Sequence, residues 1–462
     1  MPQLETSLQA SATPRVAAAA SAPRATLADT AAVFGEVFLP TLAEGVILRR
    51  RAVMRLAELL DLGRRAVRRM QRVRDQYAPG PLLLRFPGRS IALILDPQRV
   101  HRVLDGTPHP FSTASLEKRA ALAHFEPRNV LISRGSDRAD RRRYHEQVLE
   151  AGHPVHRLAG PFLEIVAYEA SRLCYDLPRD ADLNWDRFAA VWFRVVRRIL
   201  FGESAAEDHE LSITMAALRS AANWAFLRPQ RDPLRRHLFS MIRDYLDEAA
   251  PASLAGVMAQ TPATSRTAPE QQVPQWLFAF DSAGMAAFRA LALLAAHRPY
   301  AAMVREEIRA NQGSARQSLP RMRTAVLESL RLWPTSPLIL RETLEPTSWE
   351  TGLLPANTAV VIFAPFFHRD SERLPYADRF TPDLWMTDRP AVDWPLIPFS
   401  EGPAVCPGRH LALLLTSAML AAILDHVRVR LKHPRSLLAD GPLPATLNHF
   451  RIRFEVREAP AT

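Results

Sequence analysis

The segment Pro398-Phe-Ser-Glu-Gly-Pro-Ala-Val-Cys-Pro-Gly-Arg409 sets Phe399, Gly402, Cys406 and Gly408 at fixed offsets just ahead of a helical run. A thiolate on a rigid turn is a soft, charged donor of the kind haem iron accepts from a protein. Gly402 and Gly408 permit a tight loop and a close approach of backbone to a flat ring. Pro407 is expected to open the following helix, where its missing N–H costs nothing. Cys406 then sits at the positive end of a helix dipole, which is expected to lower its thiol pKa. Loop amides aimed at the sulfur would moderate its electron donation, and Phe399 would pack on the thiolate side. Four fixed identities in ten positions arise by chance in roughly one chain of this length per thousand. The loop therefore outweighs the alternative of a buried cysteine in a Gly-Pro turn.

Other charged groups lie on elements that must hold such a loop. Glu328 and Arg331, in Leu327-Glu-Ser-Leu-Arg-Leu-Trp-Pro-Thr-Ser-Pro337, share a helix face. Alone, such a pair is usually a surface feature of little energy. Ala377-Asp-Arg-Phe-Thr-Pro-Asp-Leu-Trp385 follows, with Arg379 available to the same pair. Trp276 to Ala296 is an apolar run suited to a central buried helix, yet it carries Asp281 and Ser282. A carboxylate there is costly unless it has a partner or a task.

In order and spacing these segments resemble the cytochrome P450 family, from about Pro79 to the C-terminus and most closely after Trp276. The resemblance implies a mainly α fold with a small β portion, the cytochrome P450 fold. It implies haem b (iron protoporphyrin IX) as cofactor, with Cys406 as axial ligand and Phe399, Gly402 and Gly408 shaping its loop. Glu328, Arg331 and Arg379 would form a three-membered charged network beneath it. Arg341 matches an arginine that pairs with a haem propionate, a natural use of a bidentate donor. One of Arg142, Arg143 or His145 would contact the other propionate. This chain departs from the family at Ala404, where a basic propionate contact is common, so Lys118 and His124 join Arg341 as candidate donors. Asp281 and Ser282 fall at the acid and alcohol positions that organise proton supply when the register is set on Glu306 and Glu307. Counting from Pro299 instead puts Ala283 at the alcohol position.

The function implied is a monooxygenase that inserts oxygen from O2 into a small or medium hydrophobic substrate. Its electrons would come from NAD(P)H through a separate ferredoxin-like or flavodoxin-like protein, since the chain carries no flavin or nicotinamide fingerprint. Pocket residues are sought in Phe111 to Ile132 and at Phe280. The alternatives are a peroxide-using or non-oxygenating haem-thiolate enzyme, a non-catalytic haem sensor, and a basic protein of nucleic acid or membrane surfaces.

Composition narrows these. The 462 residues are 48% hydrophobic, ample for a buried core. The net charge of +11 is almost all arginine, Lys118 and Lys432 being the only lysines, and is discounted as a nucleic-acid signal. It favours acidic partners such as an electron carrier. Two cysteines, Cys174 and Cys406, are too few for a disulfide framework and fit a reducing, cytoplasmic address. Cys174 reads as a small buried hydrophobe, and the protein is expected to be a monomer. Residues 1–35 are expected to form a disordered tail and 36–462 a single domain. Leu42 to Tyr77 reads as a basic amphipathic helix broken near Gly63, either a solvated face or a contact for anionic lipid. Two short strands are expected around Pro87-Gly88, with a helix from Pro97, a mobile loop over 250–274, a strand at Ala359–Phe363 and helix again from His410. The longest apolar stretch, Leu411 to Leu424, is shorter than the roughly 20 residues a membrane span needs, so no transmembrane segment is expected.

Overall fold

The computed structural model describes residues 21–178, 181–386 and 394–458. Apolar residues at helical spacing build most of it, and they gather around the helix Val273–Ala296. This central helix packs chiefly against Trp185–Phe201, Pro320–Leu332 and Arg409–His426. It begins at Val273, ahead of the apolar run, because Pro274 is tolerated in a first turn. The stretch Pro269–Ala296 is long and apolar enough to cross a membrane, and 78% of its most apolar window is buried inside the protein, as in a core helix. Asp281 and Arg289 interrupt it in the sequence, which is why Leu411 to Leu424 looks longer there.

The β portion is chiefly a five-stranded sheet in the order Leu82–Leu84, Ile91–Leu93, Ala359–Phe363, Leu338–Thr343, Phe111–Ser112. The first two strands pair antiparallel across the Pro87-Gly88 turn, and Ile91–Leu93 runs parallel to Ala359–Phe363. Asp96 caps the helix Pro97–Asp105 by accepting from the Gln98 and Arg99 amides.

Two expectations change, and a third, the break near Gly63, holds two residues earlier. Residues 1–20 lie outside the described residues, but the supposed tail does not extend to 35. Ala22 N–H donates to Leu353 O at 3.1 Å and Ala25 N–H to Leu83 O at 2.9 Å, and the helix Leu27–Val33 buries Thr30 and Val33. The small side chains of Ala22 and Ala25 are what fit against the sheet, so their composition mimics disorder. The basic segment is two helices, Arg51–Leu59 and Leu62–Tyr77, parted at Asp61, where φ is +47°. Gly63 lies inside the second, and a Cβ there would stand 2.7 Å from Thr446 Oγ1. Its role is close approach, not a break. Within 250–274 the helix Leu254–Gln260 forms, capped by Ser253 Oγ accepting from Gly256 N–H at 3.2 Å.

Candidate functional site

The cysteine loop is closed by its own backbone. Cys406 N–H donates to Phe399 O at 2.9 Å and Val405 N–H to Gly402 O at 2.9 Å. Gly402 has φ +67°, and a Cβ there would lie 2.5 Å from Leu104 O, so conformation and space both demand glycine. The helix starts at Arg409 with Gly408 as its cap, so Pro407 stands before the helix rather than opening it. At Gly408 the nearest atom to an added Cβ is Leu149 Cδ1 at 3.7 Å, so the protein itself leaves room there for a side chain. Burial pushes the Cys406 thiol pKa up, against the Gly408 amide and the charges of Arg142 and Arg409. Burial thus outweighs the lowering expected from the helix end. Cys174, pushed up to about 12 by burial, is an inert hydrophobe.

Cys406 and Lys118 are both partly accessible, and burial is the largest influence on the protonation of each. Short of its last turn, the central helix is buried except for Gln275, Phe278, Ala279, Ser282 and Ala283, an accessible stripe at the three- and four-residue spacing of a single face.

Cations gather beside the cysteine loop without carboxylates to match. Lys118 Nζ donates to Leu340 O at 3.1 Å, and burial, helped by Arg341, lowers its pKa to about 7. Arg341 is held by Thr107 Oγ1 at 2.9 Å and Ser400 Oγ at 3.3 Å, and burial and the charge of Arg138 lower it to about 10. Arg138 Nε is buried and unpartnered. Nearby Glu342 and Glu117 are taken up by Arg89, Arg119 and Arg134. A thiol beside three mutually repelling, under-compensated cations fits a cofactor with a soft-ligand metal and two carboxylates, as haem has.

The other predicted donors divide. Arg142 Nη1 donates to Val405 O at 2.8 Å, directly beside the cysteine, and Nε bonds Glu146 at 2.6 Å. Arg143 turns away to Asp140, Gln147 and Pro262 O. His145 is held between Gln272 at 3.1 Å and Trp276 Nε1 at 3.0 Å, and burial lowers it to about 4, so it is a neutral packing group. His124 Nε2 meets Ala225 O at 3.5 Å. Arg138, missed in the sequence, lies four residues before Arg142 on one face of the helix Gly135–Val148, a spacing that would have found it.

Asp281 is not on the accessible stripe. Its Oδ2 accepts from Arg219 Nη2 at 2.6 Å, and Arg219 also donates to Ile47 O at 2.7 Å and lies 4.9 Å from the centre of the Phe278 ring. Ser282 is on the stripe, and so is Ala283. Phe280 faces away: its carbonyl accepts from Trp192 Nε1 at 2.7 Å, and Gly284 lets that indole approach. Glu126, also missed, is fully buried with neither carboxylate oxygen hydrogen-bonded, and burial raises it well above its ordinary value.

Below the loop, Arg331 bonds Glu328 through Nε at 2.6 Å and Nη2 at 2.8 Å. It also donates to the carbonyls of His368, Ala377 and Arg379. Glu328 further accepts from Thr381 N–H at 2.8 Å and Trp385 Nε1 at 2.9 Å. With those acceptors filled, Arg379 joins through its carbonyl, and the expected three-charge network is a two-charge pair closed by backbone and indole.

The family described as cytochrome P450 matches residues 277–441. Among curated proteins, a cyclooctat-9-en-7-ol 5-monooxygenase of Streptomyces melanosporofaciens is 35% identical over 115 residues, 24% of this chain and 25% of its own. Sugiol synthase of Salvia miltiorrhiza is 32% identical over 158 residues, 32% of each chain. Such matches span only about a fifth to a third of the relatives' length. Among solved structures, a cytochrome P450 crystal structure matches with TM-score 0.71 at 16% identity, covering 96% of this chain and 100% of its own. A six-coordinated cytochrome P450 from Thermus thermophilus matches at TM-score 0.63 and 20% identity, over 85% and 98%. Likeness at these identities carries the fold.

Proposed function

Because this chain belongs to the cytochrome P450 family, we propose that it is a haem-thiolate monooxygenase acting on a small or medium hydrophobic substrate. The observation that carries this reading is Cys406: a sulfur in a loop fixed by backbone hydrogen bonds, with Arg142 and Arg341 bonded to that same loop. Bound haem b would supply the electron and dioxygen chemistry, which a thiolate ligand promotes by favouring O–O cleavage. Cys406 would hold the iron, and Arg341, Lys118, Arg138 and Arg142 would receive the propionates. Gly408 would give the ring its clearance. Ser282 Oγ, the one hydroxyl on the accessible stripe, would hold a proton toward the reacting oxygen. Asp281, fixed by Arg219, would act on that proton only through its field or through water. Apolar Phe278, Ala279 and Ala283 would exclude water and receive the substrate.

Electrons would come from NAD(P)H through a separate ferredoxin-like or flavodoxin-like protein, whose acidic surface the +11 chain attracts. One observation favours a second reading, direct use of peroxide. Asp281 is committed to Arg219, and peroxide brings its own protons and electrons, so it needs neither relay nor partner.

The test is spectroscopic. Haem-loaded protein, reduced under carbon monoxide, should show the far-shifted absorption of a thiolate ligand, and Cys406→Ala should abolish it. Survival of that band in the variant would reject the assignment. Turnover that requires both NAD(P)H and a reductase supports the first reading, and turnover on peroxide alone supports the second.

A further inference from the structure

The limb of the cysteine loop that precedes the sulfur is bent against its own preferences. Ser400 has φ +60°, a left-handed conformation that residues with a side chain rarely adopt, and Gly402 follows at φ +67°. Strain of this kind persists only where surrounding contacts over-determine the backbone. The limb matters to the sulfur, because Phe399 O accepts from Cys406 N–H at 2.9 Å and Gly402 O accepts from Val405 N–H at 2.9 Å. Movement of residues 399–402 would carry Cys406 with it.

One short stretch of chain, the end of the helix Pro97–Asp105 and the residues after it, supplies the restraining contacts. Gly402 lies against the backbone of Leu104 and Asp105. Thr107 Oγ1 donates to Val103 O at 3.0 Å and accepts from Arg341 Nε at 2.9 Å, and Arg341 Nη2 in turn donates to Ser400 Oγ at 3.3 Å. His101, three residues before Leu104 on the same face, reaches the residue between: its Nδ1 is 3.0 Å from Glu401 Oε2. A carboxylate only accepts, so Nδ1–H is the donor. The two side chains are 16% and 27% exposed, which limits the competition from water. The ring's Nε2 is buried without a hydrogen-bond partner, and among the described residues no other group hydrogen-bonds to the Glu401 side chain. The arginines flanking His101 are occupied elsewhere, Arg99 with Glu350 at 3.0 Å and Arg102 with Ser348 O at 2.6 Å. Each of His101 and Glu401 is thus the other's side-chain partner.

We propose that His101 is a positioning residue for the iron ligand: through Glu401 it latches the Ser400–Gly402 limb and so holds Cys406 Sγ in the place where it binds iron. The latch rests on the haem-thiolate reading. His101 acts only through Glu401, and its effect is that of a group behind a metal ligand, which fixes the ligand's position without touching the metal.

The test uses the full haem-loaded chain, reduced under carbon monoxide, and follows how fast the far-shifted absorption of the thiolate ligand is lost in mild urea. His101→Phe keeps a ring of similar size and removes the donor, and it should speed that loss by about three- to tenfold, at or below the low end of effects from groups behind metal ligands. His101→Gln can still donate to Glu401 and should stay within about twofold of the wild type, a rescue that follows from keeping the hydrogen bond. Glu401→Ala should speed the loss as His101→Phe does, and the double variant should be no faster than either single one, since both remove the same bond. Urea midpoints of the haem-free proteins should be alike. Unchanged loss in His101→Phe, additive effects in the double variant, or a loss that merely tracks the haem-free midpoint would each overturn the proposal. If His101→Phe takes up no haem, His101→Gln against Glu401→Ala carries the comparison, and equal rates in those two would overturn it. The two readings fail distinguishably. A wild type that never shows the thiolate absorption removes the haem assignment, whereas a normal wild type with an unaffected His101→Phe removes the latch alone.

Discussion

Glu328–Arg331 and Asp281–Arg219 are both buried arginine–carboxylate pairs anchored on helices that pack together, but they are finished to different degrees. Both side chains of the first pair are fully buried, and carbonyls, an amide and an indole fill what the two charges do not satisfy in each other. The second leaves Arg219 Nε buried without a partner, and Glu126, whose charge Arg219 feels, has both oxygens unpartnered. Buried polar groups are normally satisfied, so this cluster is less fully closed by protein groups than the first pair. The first pair ties its helix to the segment between His368 and Trp385. The second borders the accessible stripe through Phe278 and keeps capacity in reserve.

The largest effect expected from this difference is in Arg331→Ala. Removing one partner of a closed, fully buried pair strands Glu328 and costs about 3–5 kcal/mol. The urea midpoint should fall accordingly, and haem retention with it. Asp281→Asn should cost less, about 1–3 kcal/mol, because an amide oxygen still accepts from Arg219 and the site already tolerates unmet groups. Equal losses in the two variants would erase the distinction.

Those two pairs also mark how far the chain could be read. The cysteine loop and the Glu328–Arg331 helix were legible because local geometry fixes their identities: Gly402 must be glycine for both its φ and its space, and three residues put Glu328 and Arg331 on one face. The sheet strands at Leu82–Leu84, Ile91–Leu93 and Ala359–Phe363 were legible from apolar runs and turns. What was hidden is long-range. Arg219 lies 62 residues from Asp281, and no periodicity announces that pairing. Trp385 and Thr381 displaced the Arg379 side chain from the network through contacts made only on folding. The helix Leu254–Gln260 was masked by neighbouring Pro, Ser and Thr. Lowering of the Cys406 thiol was inferred from its place before a helix, and burial reversed it.

Glu126 gives the next, smaller test, through pH. Burial raises it well above its ordinary value near 4.5, with Arg219 opposing. Above 4.5 and up to the raised value, the folded chain therefore keeps a proton that the unfolded chain releases. That contribution to stability is fully present below 4.5 and is lost as pH rises through the window. Glu126→Gln removes the titration. The variant should match the wild type at pH 4 and surpass it at pH 8 in urea midpoint, and parallel curves for the two proteins would reject an unpartnered Glu126.

Ser282→Ala should change stability least, by under about 0.5 kcal/mol, the scale of changes away from buried networks. Its hydroxyl lies on the accessible stripe, and among the described residues no protein group hydrogen-bonds to it. The same reasoning makes it the most informative variant for chemistry. If Ser282 Oγ holds the proton that the reacting oxygen takes, its loss should leave substrate binding unchanged while less product forms per NAD(P)H consumed. Ala283 shares the stripe and has no such group to lose. Unchanged coupling in Ser282→Ala would therefore place proton supply on water, and would leave Asp281–Arg219 as a second structural clamp rather than the looser partner of the first.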